Sequence, residues 1–304
     1  MKPAISIIIP TYNGQNKIVN ALKSLEKQSF KNFEVIVVID GSKDNTEAIL
    51  KSQVFNLPSL KIIVQENKGR SGSRNRGVKD SRAEFLLFLD DDMRLESNGV
   101  EKHMEFYQDI QSSKILMGCA IEDFSVMTTD FQKYKGYLSR KWGKEVENRK
   151  PLPKDKFFLT AANCSIAKEI FYTLGCFDER LTDAEDYDLG KRAIENNISI
   201  YFDDSIIGWH DDFITCKSYI RRQQQYQKAH QKLKEYYPER YKENQYDYKE
   251  AKGIKRRIYQ FFAGAFWVNV IDRFNFLQII PKKLRYKIYD VIVTANTVHF
   301  PLKI

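Results

Sequence analysis

The stretch Phe85-Leu86-Leu87-Phe88-Leu89 runs straight into Asp90-Asp91-Asp92, and this junction restricts the fold more than any other part of the chain. Five consecutive apolar residues read as a strand buried on both faces. Three carboxylates at its C-terminal end repel one another unless a cation lies among them, and a hard divalent ion takes oxygen ligands. In open α/β sheets the ligand crevice lies beyond the carboxyl ends of the strands, where these acids fall. Alone, an acidic run is as readily a solvated turn. The flanking sequence has to decide.

That sequence alternates. Ile5 to Pro10 is an apolar run closed by Thr11-Tyr12-Asn13, and Ile18, Ala21, Leu22 and Leu25 mark one helical face within 16–28. Phe33 to Asp40 predicts a second buried strand, and Asp44-Asn45-Thr46 supplies cap chemistry for a helix through Leu50. A strand over 60–64 and a helix over 71–81 follow, before the Phe85 strand. Strand and helix in alternation predict a parallel sheet with helices on its faces. Beyond it, 96–113 predicts a helix and 115–121 a strand. Residues 124–156, with Pro151 and Pro153, lose periodicity and read as a lid or insertion. Helices over 167–174 and 186–195 and strands over 198–202 and 206–209 complete this part.

Cys119, Cys164, Cys176 and Cys216 form no CxxC pair, so neither a zinc site nor a disulfide framework is indicated. The opening residues lack the long apolar core of a signal peptide, and a cytoplasmic protein is the expectation. The net charge of +9 hides an asymmetry. Residues 217–304 carry 19 Lys and Arg against 7 Asp and Glu, whereas residues 1–216 carry 30 against 33. We therefore place a boundary at 216/217, with a nucleotide-binding half (about 1–122) and an acceptor half (about 123–216) before a basic, aromatic, helical extension.

No GxxxxGK[ST] and no GxGxxG after the first strand are present, which argues against P-loop and dinucleotide chemistry. The chain instead carries Ser6-Ile7-Ile8-Ile9-Pro10-Thr11-Tyr12-Asn13, Val38-Ile39-Asp40-Gly41-Ser42, Asn67-Lys68-Gly69 with Arg74-Asn75-Arg76-Gly77, and Leu89-Asp90-Asp91-Asp92. Gly175-Cys176-Phe177-Asp178-Glu179, Glu185-Asp186-Tyr187-Asp188-Leu189 with Arg192, and His210 follow. In that order and spacing, over roughly residues 4–215, the motifs resemble the family 2 glycosyltransferases. The resemblance implies a GT-A fold, a Rossmann-like mixed sheet flanked by helices. It also implies an inverting, metal-dependent transfer of one sugar from a nucleotide-sugar.

The resemblance also assigns roles. Asp40 would bind a uracil ring, although Ile39 stands where members often have a first Asp. Pro10, Thr11, Tyr12 and Asn13 would line the base and ribose pocket, with Tyr12 open to a packing role. Lys68, Gly69 and Arg74, at the start of a helix, would meet the nucleotide, since cations and helix N-termini both favour phosphate oxygens. Arg70 and Arg76 read as solvated surface. Asp92, Asp90 and His210 would hold Mn2+ or Mg2+, with phosphate contact as the other role for His210, and Asp90 or Asp91 would hold the ribose or a metal-bound water. Asn163 would face the donor sugar. Asp186 would be the base that takes the acceptor proton, Glu185 would orient the acceptor, and Asp188 would hold Arg192.

The expected acceptor is a glycan or a lipid-linked sugar in cell-surface polysaccharide or glycoconjugate synthesis. The processive synthases of the family carry Gln-x-x-Arg-Trp and several membrane helices, and this chain has neither, so one sugar per encounter is expected. The alternative is a homologue that binds nucleotide-sugar without turnover. Tyr259 to Ile271 is apolar for 13 residues between Lys255-Arg256-Arg257 and Lys282-Lys283. That run is too short to span a bilayer and suits an interfacial helix on anionic lipid, with a packed helical extension as the other reading. No nucleic-acid module is present, and none is expected as a partner.

Overall fold

Strand β1 (Ile5–Thr11) is buried at every position, as is β2 (Phe33–Asp40), and the two pair in parallel from Ile5↔Phe33 to Thr11↔Ile39. The computed structural model behind these statements describes residues 2–108, 113–144, 146, 148–242, 250–274 and 276–303. Helix α1 (Ile18–Glu26) buries Ile18, Ala21, Leu22 and Leu25, one face repeating every three to four residues. Helix α2 (Thr46–Ser52), β3 (Leu60–Gln65), α3 (Gly69–Lys79) and β4 (Phe85–Leu89) follow, and β3 and β4 extend the parallel sheet on either side. Burial on both faces makes β1, β2 and β4 almost wholly apolar, whereas β3, at the sheet edge, is largely part-exposed.

The sheet then becomes mixed. After β5 (Met93–Leu95), α4 (Gly99–Gln108), β6 (Lys114–Ile121) and α5 (Asp130–Lys144), β7 (Asn163–Ala167) pairs antiparallel with β4, setting Leu89 opposite Asn163. Helices α6 (Lys168–Thr173) and α7 (Glu185–Glu195) lead to β8 (Ser199–His210). Among the described residues the order is β3-β2-β1-β4-β7-β6-β8-β5. The two strands expected over 198–202 and 206–209 are one, kept continuous by a bulge where Gly118↔Asp203 gives way to Cys119↔Ile207. Strands β5 and β7 were not expected. Strand β5 is three residues long, too short for periodicity to be legible, and β7, Asn-Cys-Ser-Ile-Ala, carries no contiguous apolar run.

The chain divides into two compact units, residues 1–123 with 139–212, and residues 124–138 with 213–304. By this division the boundary lies at 212/213, four residues before the expected 216/217, and 124–138 groups with the C-terminal part. The reason is packing. Phe131 and Tyr134, on the first half of α5, are buried with Ile220, Ile271, Tyr286, Tyr289 and Ile292. Asp130 accepts from Arg285 Nε (2.7 Å) and Tyr289 Oη (2.9 Å) in the same unit.

In that second unit α8 (Cys216–Tyr236) opens with a reciprocal cap between Thr215 and Ser218, and Asp272 accepts from the Cys216 and Lys217 amides at 2.7 and 3.0 Å. The apolar run 259–271 is not one helix. It is shared between α9 (Gly253–Phe262), α10 (Ala265–Asn269) and a π-type turn, because the backbone at Gly264 adopts φ +105, which side-chain-bearing residues rarely take. Helix α11 (Lys282–Thr294) closes the unit. No helix among the described residues is long and apolar enough to cross a membrane.

Candidate active site

The carboxyl ends of β1, β2 and β4 meet around an open pocket of about 260 Å³, lined by Pro10, Thr11, Tyr12, Lys17, Asp40, Gly69, Arg70 and Asp90–Asp92 among others. The turn after β1 fixes its near wall. Gly14 approaches so closely that a Cβ there would collide with Thr11 Oγ1 and crowd Asp91 Oδ2. Thr11 Oγ1 in turn donates to Asp91 Oδ2 at 2.6 Å. Asn13, at φ +52, clamps this turn to the one after β2. Its amide donates to Ser42 Oγ (3.0 Å) and its side-chain oxygen accepts from the Lys43 amide (2.9 Å). Asn13 thus shapes the pocket from outside its lining.

Asp40, 4% exposed at the end of β2, accepts from the Lys68 amide and from Gln65 Nε2, both at 2.8 Å. Lys68 therefore serves through its backbone. Of the two cations around Gly69, it is Arg70 that lines the pocket, held near Asp183 at 3.3 Å, where the sequence reading favoured Lys68.

Arg74 departs furthest from expectation. It is 2% exposed beneath the pocket, with Nη2 2.7 Å from Asp90 Oδ1 and Nη1 2.5 Å from Glu185 Oε1. Both ends of the fork are taken by carboxylates, so Arg74 is a buried bridge rather than a nucleotide contact. Glu185, expected to orient the acceptor, is 3% exposed and turned onto Arg74, and Asp90, which lines the pocket, places its Oδ1 on the same guanidinium. Asn163 is likewise corrected. It is fully buried, its Oδ1 accepting from His103 Nε2 and its Nδ2 donating to the Cys119 and Ile206 carbonyls, and so joins strands instead of facing a sugar.

Asp92 and His210 are brought together by β5, because Met93 pairs with His210 across the antiparallel β5–β8 ladder. His210 Nε2 lies 3.4 Å from Asp92 Oδ1. That oxygen is buried and receives no hydrogen bond among the described residues. Burial raises the Asp92 carboxyl, but His210 and Lys17 outweigh it and hold it well below the ordinary carboxylate value. At Asp91 burial prevails and pushes the carboxyl up. Lys17, which the sequence reading missed, places its ammonium 3.2 Å from Asp91 Oδ1 and 3.6 Å from Asp92 Oδ2. Nothing in its sequence neighbourhood announces this, since its partners are 74 and 75 positions away. Asp211 pairs with Arg94 at 2.7 Å.

Asp186 sits on the first turn of α7, just after Ala184, whose left-handed φ of +60 is uncommon outside glycine. Its Oδ2 accepts from the Ala161 amide (3.2 Å) while the Asp90 amide donates to the Ala162 carbonyl (3.3 Å), so one short segment spans from Asp186 to the acidic run. Burial, then the adjacent Glu185 charge, push the Asp186 carboxyl up to about 7. Asp188, 1% exposed, accepts from Arg192 Nε at 2.8 Å, the local pair its spacing implied. Chemically, the site joins a carboxylate poised near neutrality to a pocket rich in acids and bounded by Lys17 and Arg70.

The family model described as glycosyl transferase family 2 matches residues 6–175. The uncharacterized glycosyltransferase RT0329 of Rickettsia typhi is 29% identical over 67% of this chain and 63% of that protein, so the chain spans about three-fifths of that relative's length. A shorter match, 34% identical over 34% of each chain, is to the GalNAc(5)-diNAcBac-PP-undecaprenol beta-1,3-glucosyltransferase of Campylobacter jejuni. Among solved structures, S. aureus TarS 1–349 in complex with UDP has a TM-score of 0.55 at 21% identity, and its UDP-GlcNAc complex 0.52 at 22%, each covering 97% of this chain and 90% of that one. The structural likeness shows a shared GT-A-type fold, and with the family model covering more than half of its length, the chain belongs to glycosyl transferase family 2.

Proposed function

We propose that this protein transfers one sugar from a UDP-sugar to a glycan or lipid-linked acceptor, with inversion at the anomeric carbon. The observation that carries this reading is the convergence of the Asp40–Asp92 pocket with Asp186, a carboxylate raised toward neutral pH, at one end of the sheet. The UDP and UDP-GlcNAc complexes of TarS support the donor class, and the PP-undecaprenol named for the Campylobacter relative supports a lipid-linked acceptor. In the reaction the acceptor hydroxyl attacks the anomeric carbon and gives its proton to Asp186. The bond from that carbon to the diphosphate breaks with its electron pair on the diphosphate oxygen. Arg70 lies where it can meet the diphosphate.

The donor set fits a divalent ion. Asp92 Oδ1 is buried without a hydrogen-bond donor and faces the imidazole of His210. No three His, Cys, Asp or Glu side chains gather to hold a metal among the described residues, so an Mn2+ or Mg2+ ion held by Asp92 and His210 would take its remaining ligands from water and substrate phosphates. When bound, the ion supplies neutralising charge for the departing diphosphate.

The reading is tested by nucleotide release from a panel of UDP-, GDP- and dTDP-sugars with Mn2+. Release from one donor, abolished by chelation, is expected; neither release nor nucleotide binding from any donor would sink it. A second, smaller effect concerns Lys17. Its ammonium occupies the Asp91–Asp92 cleft that a divalent ion would share, so Lys17→Met is expected to bind Mn2+ about tenfold more tightly without nucleotide, a difference of about 1.4 kcal/mol. Loss of the free-Mn2+ electron paramagnetic resonance signal measures it, and equal affinity in the two proteins would exclude competition.

A further inference from the structure

Helix α9 (Gly253–Phe262), an amphipathic element of the second unit, buries no residue. Ile254, Ile258 and Phe261 fall on one face at positions i, i+4 and i+7, and are 78%, 44% and 65% exposed. The opposite face is already seated. Tyr259 stacks on the His299 ring at 4.3 Å, and the Arg256 guanidinium lies 5.7 Å over Phe300 while pairing with Glu250. On the apolar face Phe261 meets the Phe262 and Trp267 rings at 5.0 and 5.3 Å, and all three side chains of the stripe remain exposed.

Past Gly264, Phe266 adds a further ring at 68% exposure, and Trp267 Nε1 donates to the Phe261 carbonyl at 2.7 Å, tying the two segments together. The charge on this helix is one-sided. Lys255, Arg256 and Arg257 are all exposed, and α9 carries no acid. At 100° per residue, Lys255 and Arg257 flank the apolar stripe on either side.

We propose that this face docks on the surface of an anionic lipid bilayer, with Ile254, Ile258, Phe261 and Phe266 in the acyl boundary and Lys255 and Arg257 on the headgroups. Apolar side chains pointing outward between flanking cations, without a compensating acid, match a surface that is apolar below and negative above. A second copy of this chain matches less well, because face-to-face pairing would set Lys255 and Arg257 against their own like charges. The docking is independent of the transfer chemistry: its residues lie outside the pocket, so it can fail while that reading stands, and the reverse.

The full-length protein is sedimented with vesicles of phosphatidylcholine mixed with phosphatidylglycerol, and with vesicles of phosphatidylcholine alone. The expected result is binding to the mixed vesicles, weakened by salt, with at least tenfold loss in Ile258→Glu/Phe261→Glu and in Lys255→Gln/Arg257→Gln. Because these side chains are exposed, thermal stability and nucleotide release should be unchanged in both variants, which separates lost docking from lost folding. The proposal is overturned if the wild-type protein stays in the supernatant with mixed vesicles, or if it binds neutral vesicles equally. It is overturned as well if either variant binds like wild type, or if the apolar substitution abolishes a dimer in solution while leaving vesicle binding intact.

Discussion

Asp186→Asn is expected to lower kcat about 10³-fold while leaving nucleotide affinity within a few-fold of wild type. The amide keeps the volume and can still accept from the Ala161 amide, but it cannot take the acceptor proton. In the wild-type enzyme the base works ionised. With its carboxyl pushed up to about 7 by burial and by Glu185, kcat/KM should fall tenfold per pH unit below about 7 and level off above it. Glu185→Gln removes the raising charge and also releases Arg74, so the acid limb should move to lower pH. A limb that stays in place would separate the titration from Asp186.

The same variant carries an opposite prediction for stability. The folded carboxyl titrates near 7, above its unfolded value of about 3.9, so the folded state binds the proton more tightly. Wild-type stability contributed by this group is then fully present below about pH 4 and is lost as the pH rises to 7. Asn lacks the penalty. Asp186→Asn should therefore match wild type near pH 4 and be more stable at pH 8, by as much as about 4 kcal/mol. Urea titrations at the two pH values measure it. An inactive protein that is more stable identifies a group held for chemistry at the expense of folding.

The sequence disclosed features in proportion to how local their causes are. Strands β1, β2 and β4 are legible because burial on both faces makes each a contiguous apolar run, and the Asp188–Arg192 pair because its partners are four residues apart. Strand β5 carries only three residues, so the device that sets His210 beside Asp92 is invisible until the ladder is seen. Asn163 at the start of β7 and Arg74 on α3 stand in segments whose composition suits ligand contact, yet their partners come from other segments that sequence cannot place, and both are consumed internally. Lys17 is the converse, an ordinary surface residue by sequence that lies among the acids. In the second unit the basic, aromatic composition was plain, but Gly264 splits the apolar run that composition alone presents as one helix.

Arg74→Met is expected to be the most destabilising single change in the first unit, costing about 3–5 kcal/mol in urea or thermal unfolding at pH 7. The reason is the asymmetry between removing a buried pair and breaking one. Arg74 and Glu185 are 2% and 3% exposed, and the guanidinium also answers Asp90 and lies 5.6 Å over the Phe177 ring. Methionine fills much of the volume and keeps the contact with Phe177, so the loss is chiefly electrostatic. It strands Glu185 without a cation beside Asp186, and two neighbouring carboxylates on the first turn of α7 then repel each other without compensation. The double variant Arg74→Met/Glu185→Gln tests that account, because neutralising the stranded carboxylate should restore about half or more of the loss. If the double variant is no more stable than Arg74→Met, packing rather than charge is what Arg74 supplies. The activity of the single variant provides a second check. With the lowering influence of Arg74 gone, the Asp186 carboxyl should rise further and the acid limb of kcat/KM should move to higher pH, opposite to Glu185→Gln. Arg74 therefore ties the acidic run after β4 to the base on α7, and it does so from beneath the pocket.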